Sequence, residues 1–219
     1  METLQFEDVV VERFPLGKHK ANAYIVYNAS DRRAVLIDPG ADGEILMGRV
    51  AELRLAIDAI LLTHAHWDHV GAANEIATHA GAPVYLHPED RLLIKAAPIY
   101  AFRIDGVRFS APSRLVDLVD GATIPLGESR AFSVRHIPGH TEGGVAYRLG
   151  RAVFTGDTLM PAGAGRTDLP GGHHGKLQRS LAWLHRELAP DDIICPGHRA
   201  FWPSSEASAW LSNRLETPE

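Results

Sequence analysis

The chain has one cysteine, Cys195, among its 219 residues, so no internal disulfide can brace it. That fits a reducing compartment. Long hydrophobic runs are also missing. The apolar stretch 55–62 is broken by Asp58 and falls far short of the roughly 20 residues that cross a bilayer. Residues 1–11 carry Glu2, Glu7 and Asp8 with neither a basic start nor an apolar core, so a secretory leader is not expected. A cytoplasmic protein with no membrane partner is the expectation. An excess of positive charge is absent as well. With 22 Lys and Arg against 27 Asp and Glu, the net charge is -5 and gives no help in binding a polyanion. Nucleic acid is therefore not an expected partner. There is no internal repeat, low-complexity tract or long linker. The composition, 45% hydrophobic and 22% charged, is that of a globular chain able to bury a sizeable core. A single domain over residues 1–219 is expected.

What is present is a regular alternation of short elements. Runs rich in β-branched residues at 9–11, 23–27 and 34–37 read as strands, and Asp38-Pro39-Gly40 stops the third with turn chemistry. Helical spacing follows at 45–53, a buried strand at 59–62, a helix at 72–80 and a strand at 84–86. The stretch 88–119 carries no assignment. The second half shows strands at 132–137, 145–148, 152–155 and 193–195. Leu177, Leu181, Leu184 and Leu188 form the stripe of an amphipathic helix, and a terminal helix is read over 204–215. Elements mixed in this way, in two similar halves, suggest an α/β protein with two mixed sheets flanked by helices.

The 12 histidines are the compositional oddity. His64-Ala65-His66-Trp67-Asp68-His69 places four ligand-type side chains in six residues, directly after the strand at 59–62. Imidazole nitrogen with carboxylate oxygen suits zinc, iron or manganese. So dense a polar cluster is costly to bury unless a cation neutralises it. Three further turns repeat the theme, each just past an apolar strand and beside a glycine: Pro138-Gly139-His140, Gly156-Asp157 and Pro196-Gly197-His198. Side chains delivered from strand ends on one edge can converge on one place.

The order His-x-His-x-Asp-His, then His, Asp and His, resembles the metallo-β-lactamase superfamily from Asn22 to His198. The resemblance implies an αββα sandwich with two divalent metal ions at one edge, zinc first, with iron or manganese as alternatives. It implies that His64, His66 and His140 hold one ion, that Asp68, His69 and His198 hold the other, and that Asp157 bridges them. Asp38 would orient a ligand histidine. His19, His79, His87 and His185 fall outside these motifs, and His136 ends its strand. His173 and His174 could line the mouth of the site, and Cys195 reads as a buried, inert thiol.

Two adjacent divalent cations lower the pKa of a shared water from about 15.7 to about 7. The bridging hydroxide can then attack a polarised carbonyl, with Asp68 and Asp157 as the catalytic carboxylates. The segment Gly165-Arg166-Thr167-Asp168-Leu169-Pro170 resembles a loop of glyoxalase II-like and persulfide dioxygenase-like members. Arg166 either contacts substrate or ties the loop to Asp168. Only 21 residues follow His198, so the C-terminal helical domain of glyoxalase II proper is not expected here. The resemblance is to single-domain glyoxalase II-like thioesterases, which implies a small-molecule thioester substrate such as S-lactoylglutathione. Three alternatives stay open: a persulfide dioxygenase with one iron on His64, His140 and Asp157, a lactonase or other metallo-hydrolase, and a non-catalytic metal-binding protein.

Overall fold

A computed structural model describes residues 2–216. The N-terminal part runs β1 (Glu2–Phe6), β2 (Val9–Leu16), β3 (Ala21–Asn28), β4 (Arg33–Ile37), α1 (Gly43–Glu52), β5 (Ala56–Leu61), α2 (Trp67–Val70), α3 (Ala73–Ala80) and β6 (Val84–Leu86). A 3-10 turn (Pro88–Asp90), α4 (Arg91–Asp105) and β7 (Leu115–Asp117) follow. The remainder is β8 (Thr123–Leu126), β9 (Arg130–His136), β10 (Val145–Leu149), β11 (Ala152–Gly156), α5 (His174–Glu187), β12 (Ile193–Pro196), β13 (Trp202–Pro203) and α6 (Ser204–Glu216).

The strands form two mixed sheets. One has the order β1-β2-β3-β4-β5-β6-β7, antiparallel as far as β4 and parallel from β4 to β7. The other has the order β13-β12-β11-β10-β9-β8, antiparallel except where β11 meets β12. The two-residue period of the strands sorts their side chains between two faces. Val9, Val11, Val26, Val35 and Leu61 point inward and meet Phe132, Val134, Tyr147 and Phe154 of the second sheet. Val10, Ile25, Leu36 and Ile60 point outward onto Leu46 of α1, Ile76 of α3 and Ile94 of α4. On the far side, Ala146 and Ile194 pack against Leu177, Leu181 and Leu184 of α5 and Leu211 of α6. The result is the αββα sandwich, in layers of helix, sheet, sheet and helix. Burying each of Leu61, Phe132 and Phe154, all fully enclosed, contributes about 1.5–3 kcal/mol.

The unassigned stretch thus holds a 15-residue helix, α4. Two features hide it. Pro98 lies inside it, and Leu92, Ile99 and Phe102 face solvent while Ile94, Ala97 and Ala101 face the core. Its apolar residues therefore spread around the axis instead of forming one stripe. Trp202 is buried and Trp210 is partly buried against the cluster between α5 and α6. No helix among the described residues is long and apolar enough to cross a membrane.

Candidate metal centre

Four turns follow four strand ends at one edge of the sandwich. The turn after β5 carries His64 to His69, with Trp67 to Val70 wound into α2. The turns after β9, β11 and β12 carry His140, Asp157 and His198. The first comes from the seven-stranded sheet and the other three from the six-stranded sheet.

These side chains come together. His64, His66 and His140 form one group whose ligand atoms all lie within 4.8 Å of one another, and Asp68, His69 and His198 form another. Asp157 stands between them. Its Oδ1 is 3.5 Å from His69 Nε2, and its Oδ2 is 3.6 Å from His140 Nε2 and 3.5 Å from His198 Nε2. Asp68 Oδ2 is 3.5 Å from His198 Nε2. His66 Nδ1 lies 2.8 Å from His140 Nε2.

Four buried atoms in this cluster have no hydrogen-bond partner: His64 Nε2, His66 Nε2, His69 Nε2 and Asp157 Oδ1. Leaving a buried polar atom unpaired costs about 1–3 kcal/mol. Divalent cations would partner all four, so the residues present fit such ions.

The neighbours of these rings set their tautomers. His140 Nδ1 donates to the Arg166 carbonyl at 2.8 Å, which leaves a lone pair on Nε2. His69 Nδ1 donates to Asp38 Oδ2 at 3.1 Å. Thr63 Oγ1 donates to the same Asp38 oxygen at 2.5 Å and lies 3.0 Å from His64 Nδ1. Asp38 Oδ1 also accepts from Thr63 N at 2.7 Å, so this one carboxylate steadies both ends of the His64–His69 turn.

The electrostatics divide the two groups. Burial, together with neighbouring imidazoles, lowers His64 well below its ordinary range and His66 to about 3. Burial also works against charge on His69, but Asp68, Asp157 and Asp38 raise it to about 9. At His198 burial is likewise outweighed, here by hydrogen bonds to Asp157 and Asp68, and the value rises to about 10. Burial would raise Asp68, yet His69 and His198 bring it to about 2. The same two histidines carry Asp157 well below the carboxylate range. His64 and His66 thus offer neutral imidazole lone pairs. The second group holds protons that a cation must displace.

Of the other residues singled out from the sequence, Arg166 closes a bidentate ion pair on Asp168 at 2.7 and 2.6 Å, and both are exposed. His173 caps α5 by accepting from Lys176 N, and its own N–H donates to the Gly139 carbonyl. His174 lies against Gln178 at 3.2 Å. None of these rings belongs to the cluster of ligand-type side chains. Burial pushes the Cys195 thiol well up. His136 does end β9, and its ring stacks on His87 at 3.9 Å between centroids.

Nothing in the sequence singles out Asp90 or Asn22. Asp90, at the end of the 3-10 turn, is 1% exposed and accepts three hydrogen bonds. These come from Ala65 N at 2.9 Å, Thr141 Oγ1 at 2.9 Å and Gly143 N at 2.7 Å. Burial raises its carboxyl above the ordinary carboxylate range, and the three donors offset only part of that rise. Asn22 donates to the carbonyls of Pro196 at 2.9 Å and Arg199 at 2.7 Å, bracketing His198. Tyr24 adds a 2.6 Å bond to the Pro196 carbonyl. A cavity of about 550 Å³ opens beside Asp68, lined among others by Lys18, His19, Trp67, Asp105 and Phe109. Trp67 is fixed in that wall by a 2.7 Å bond from its Nε1 to Asp105.

Fold and site together are those of a metal-binding sandwich protein. Residues 16–198 match the family model of the metallo-β-lactamase superfamily, and the chain belongs to that superfamily. Its members bind divalent metals and are generally hydrolases. Hydroxyacylglutathione hydrolase GloC of Haemophilus influenzae is 32% identical over 196 residues, covering 87% of this chain and 91% of that protein. Among solved structures, TTHA1623 in a di-iron-bound form is 38% identical with a TM-score of 0.81, covering 90% of this chain and 96% of that one. The BLEG-1 B3 metallo-β-lactamase is 34% identical with a TM-score of 0.78, covering 90% and 95%.

Proposed function

We propose that this chain is a dinuclear metallo-hydrolase that cleaves an acyl thioester of the S-lactoylglutathione type. The observation that carries the reading is the position of Asp157 between two triads in which His64, His66 and His69 each keep a buried Nε2 without a partner. The likeness to GloC supports the thioester. His64, His66 and His140 would hold one ion and Asp68, His69 and His198 the other, with Asp157 shared. Zinc and iron both suit these donors.

When bound, two such cations supply hydroxide near neutral pH and polarise the substrate carbonyl. The chain's own residues do the rest. Asp157 sets the spacing between the triads. Asp68, kept ionised at about 2 by His69 and His198 against the effect of burial, orients the attacking oxygen from the side that faces the cavity. The cavity wall of Trp67 and Phe109 receives the acyl or thiol arm of the substrate. Addition of water's oxygen to the carbonyl carbon and loss of the sulfur leave a carboxylic acid and a thiol.

The test is metal analysis of the purified protein together with S-lactoylglutathione hydrolysis, before and after chelation. About two ions per chain, with thioester cleavage lost on chelation and restored by zinc or iron, is the expected result. One iron per chain, with oxygen uptake on glutathione persulfide and no thioester cleavage, replaces this reading with a dioxygenase. Turnover of a β-lactam or lactone without thioesterase activity keeps the hydrolase and discards the substrate.

A further inference from the structure

The two triads share Asp38, which reaches His69 directly and His64 through Thr63, and differ in their other supports. His69 rests on Asp38, and the turn carrying His198 is held by Asn22 and Tyr24. His66 and His140, carried by turns of different sheets, touch ring to ring, and the buried link between the loops behind them is Asp90. Its Oδ2 takes the N–H of Ala65, the residue between His64 and His66, and the hydroxyl of Thr141, the residue after His140. Its Oδ1 takes Gly143 N. Both oxygens are thereby committed, and no polar atom of Asp90 is left over for a ligand. The fit is close as well, since a Cβ on Gly143 would fall 2.8 Å from Asp90 Cβ.

We propose that Asp90 is a positioning residue that sets the affinity of the first metal site, formed by His64, His66 and His140, and leaves the second to Asp38 and Asn22. The warrant is geometric. One carboxylate bonds the backbone or side chain beside three ligand positions, two on one loop and one on another, and all three ligands serve the same triad. Hydrogen-bond partners that stand behind metal ligands typically change affinity by 10- to 100-fold when removed. Asp90 acts one step further back, through the loops themselves. It rests on the dinuclear reading proposed above.

The experiment is a competition titration of the apo protein with zinc against a chromophoric chelator, with cobalt spectra to identify which site fills. Wild type should show two steps. Asp90→Asn keeps the shape but turns one acceptor into a donor facing a donor. It should weaken the first-site step about 10- to 100-fold and leave the second within about twofold. Thr141→Val removes one of the three bonds and should weaken the same step, whereas Thr141→Ser keeps the hydroxyl and should restore it. If Asp90→Asn does not fold, the Thr141 pair decides alone. Unchanged affinity at the first site, or equal weakening of both steps, overturns the role of Asp90 while leaving the dinuclear centre standing. A wild type that takes up a single ion overturns the two-site reading, and this division of labour with it.

Discussion

Gly197 precedes His198, and its role can be tested with one methyl group. A Cβ built there lies 1.9 Å from Asp157 Oδ1, 2.9 Å from the carbonyl carbon of Gly156 and 3.0 Å from His69 Cε1. The backbone cannot retreat easily. Gly197 N donates to the Gly156 carbonyl at 2.8 Å, and the Gly197 carbonyl accepts from Asn22 N at 2.7 Å. The carboxylate of Asp157 must therefore move. Going from 1.9 Å to an ordinary contact of 3.4 Å is a shift of 1.5 Å. Metal-ligand distances tolerate about 0.2 Å, so Asp157 leaves its place between the triads. Overpacking of this kind costs about 1–3 kcal/mol of stability. A misplacement near 1 Å costs about 100-fold in rate. Gly197→Ala should therefore fold with a lowered Tm, retain fewer ions after dialysis and lose about 100-fold or more in thioester turnover. Thermal melts, elemental analysis and steady-state kinetics read these three quantities. A Gly197→Ala protein with two ions and full activity would refute the reasoning, because Asp157 would then not be needed where the geometry puts it.

Gly48 is the contrasting case: it is exposed in the middle of α1 with nothing within 4 Å of a built Cβ. Gly48→Ala should stabilise by about 0.4–1 kcal/mol, a rise of about 1–4 °C in Tm, and an unchanged or lower Tm counts against it. Phe132, fully buried between the sheets, should cost about 3–5 kcal/mol as Phe132→Ala in chemical denaturation. A loss below 1 kcal/mol would contradict the packing described. His87 is lowered by burial and by the stacked His136, while Glu89, Asp120 and Asp117 work in the opposite direction. A histidine whose folded value is depressed contributes stability that is present above the unfolded value of about 6.5 and is lost as pH falls through the folded one. The His87 ring resonance, assigned with His87→Asn, should titrate below 6.5, and a midpoint at or above that value contradicts the burial argument.

Much of the site was legible because ligand chemistry permits few side-chain types. His64, His66, Asp68 and His69 share one turn, and His140, Asp157 and His198 each follow an apolar strand, so residue type and strand position pointed the same way. The strands with a β-branched core, such as β3 and β4, were visible for the same reason. Asp90 was not, because a carboxylate that accepts from backbone N–H groups of distant loops leaves no local pattern. Its position next to α4, whose periodicity Pro98 and the outward Ile99 and Phe102 obscure, removed the remaining signal. Gly197 was seen only as a turn residue. Its lack of a side chain matters because Asp157 comes so close, a fact of tertiary packing. The burial of Trp202 was not legible either, because it comes from α6 folding back over β13.

Each triad takes two members from the turn after β5 and one from the opposite sheet. An ion seated in either therefore spans the seam of the sandwich and works as a rivet. A sliding of one sheet over the other stretches both coordination shells together, so loaded ions resist that shear and the stripped protein should yield to it first. Sliding of the two layers and occupancy of the site would then be coupled mechanically.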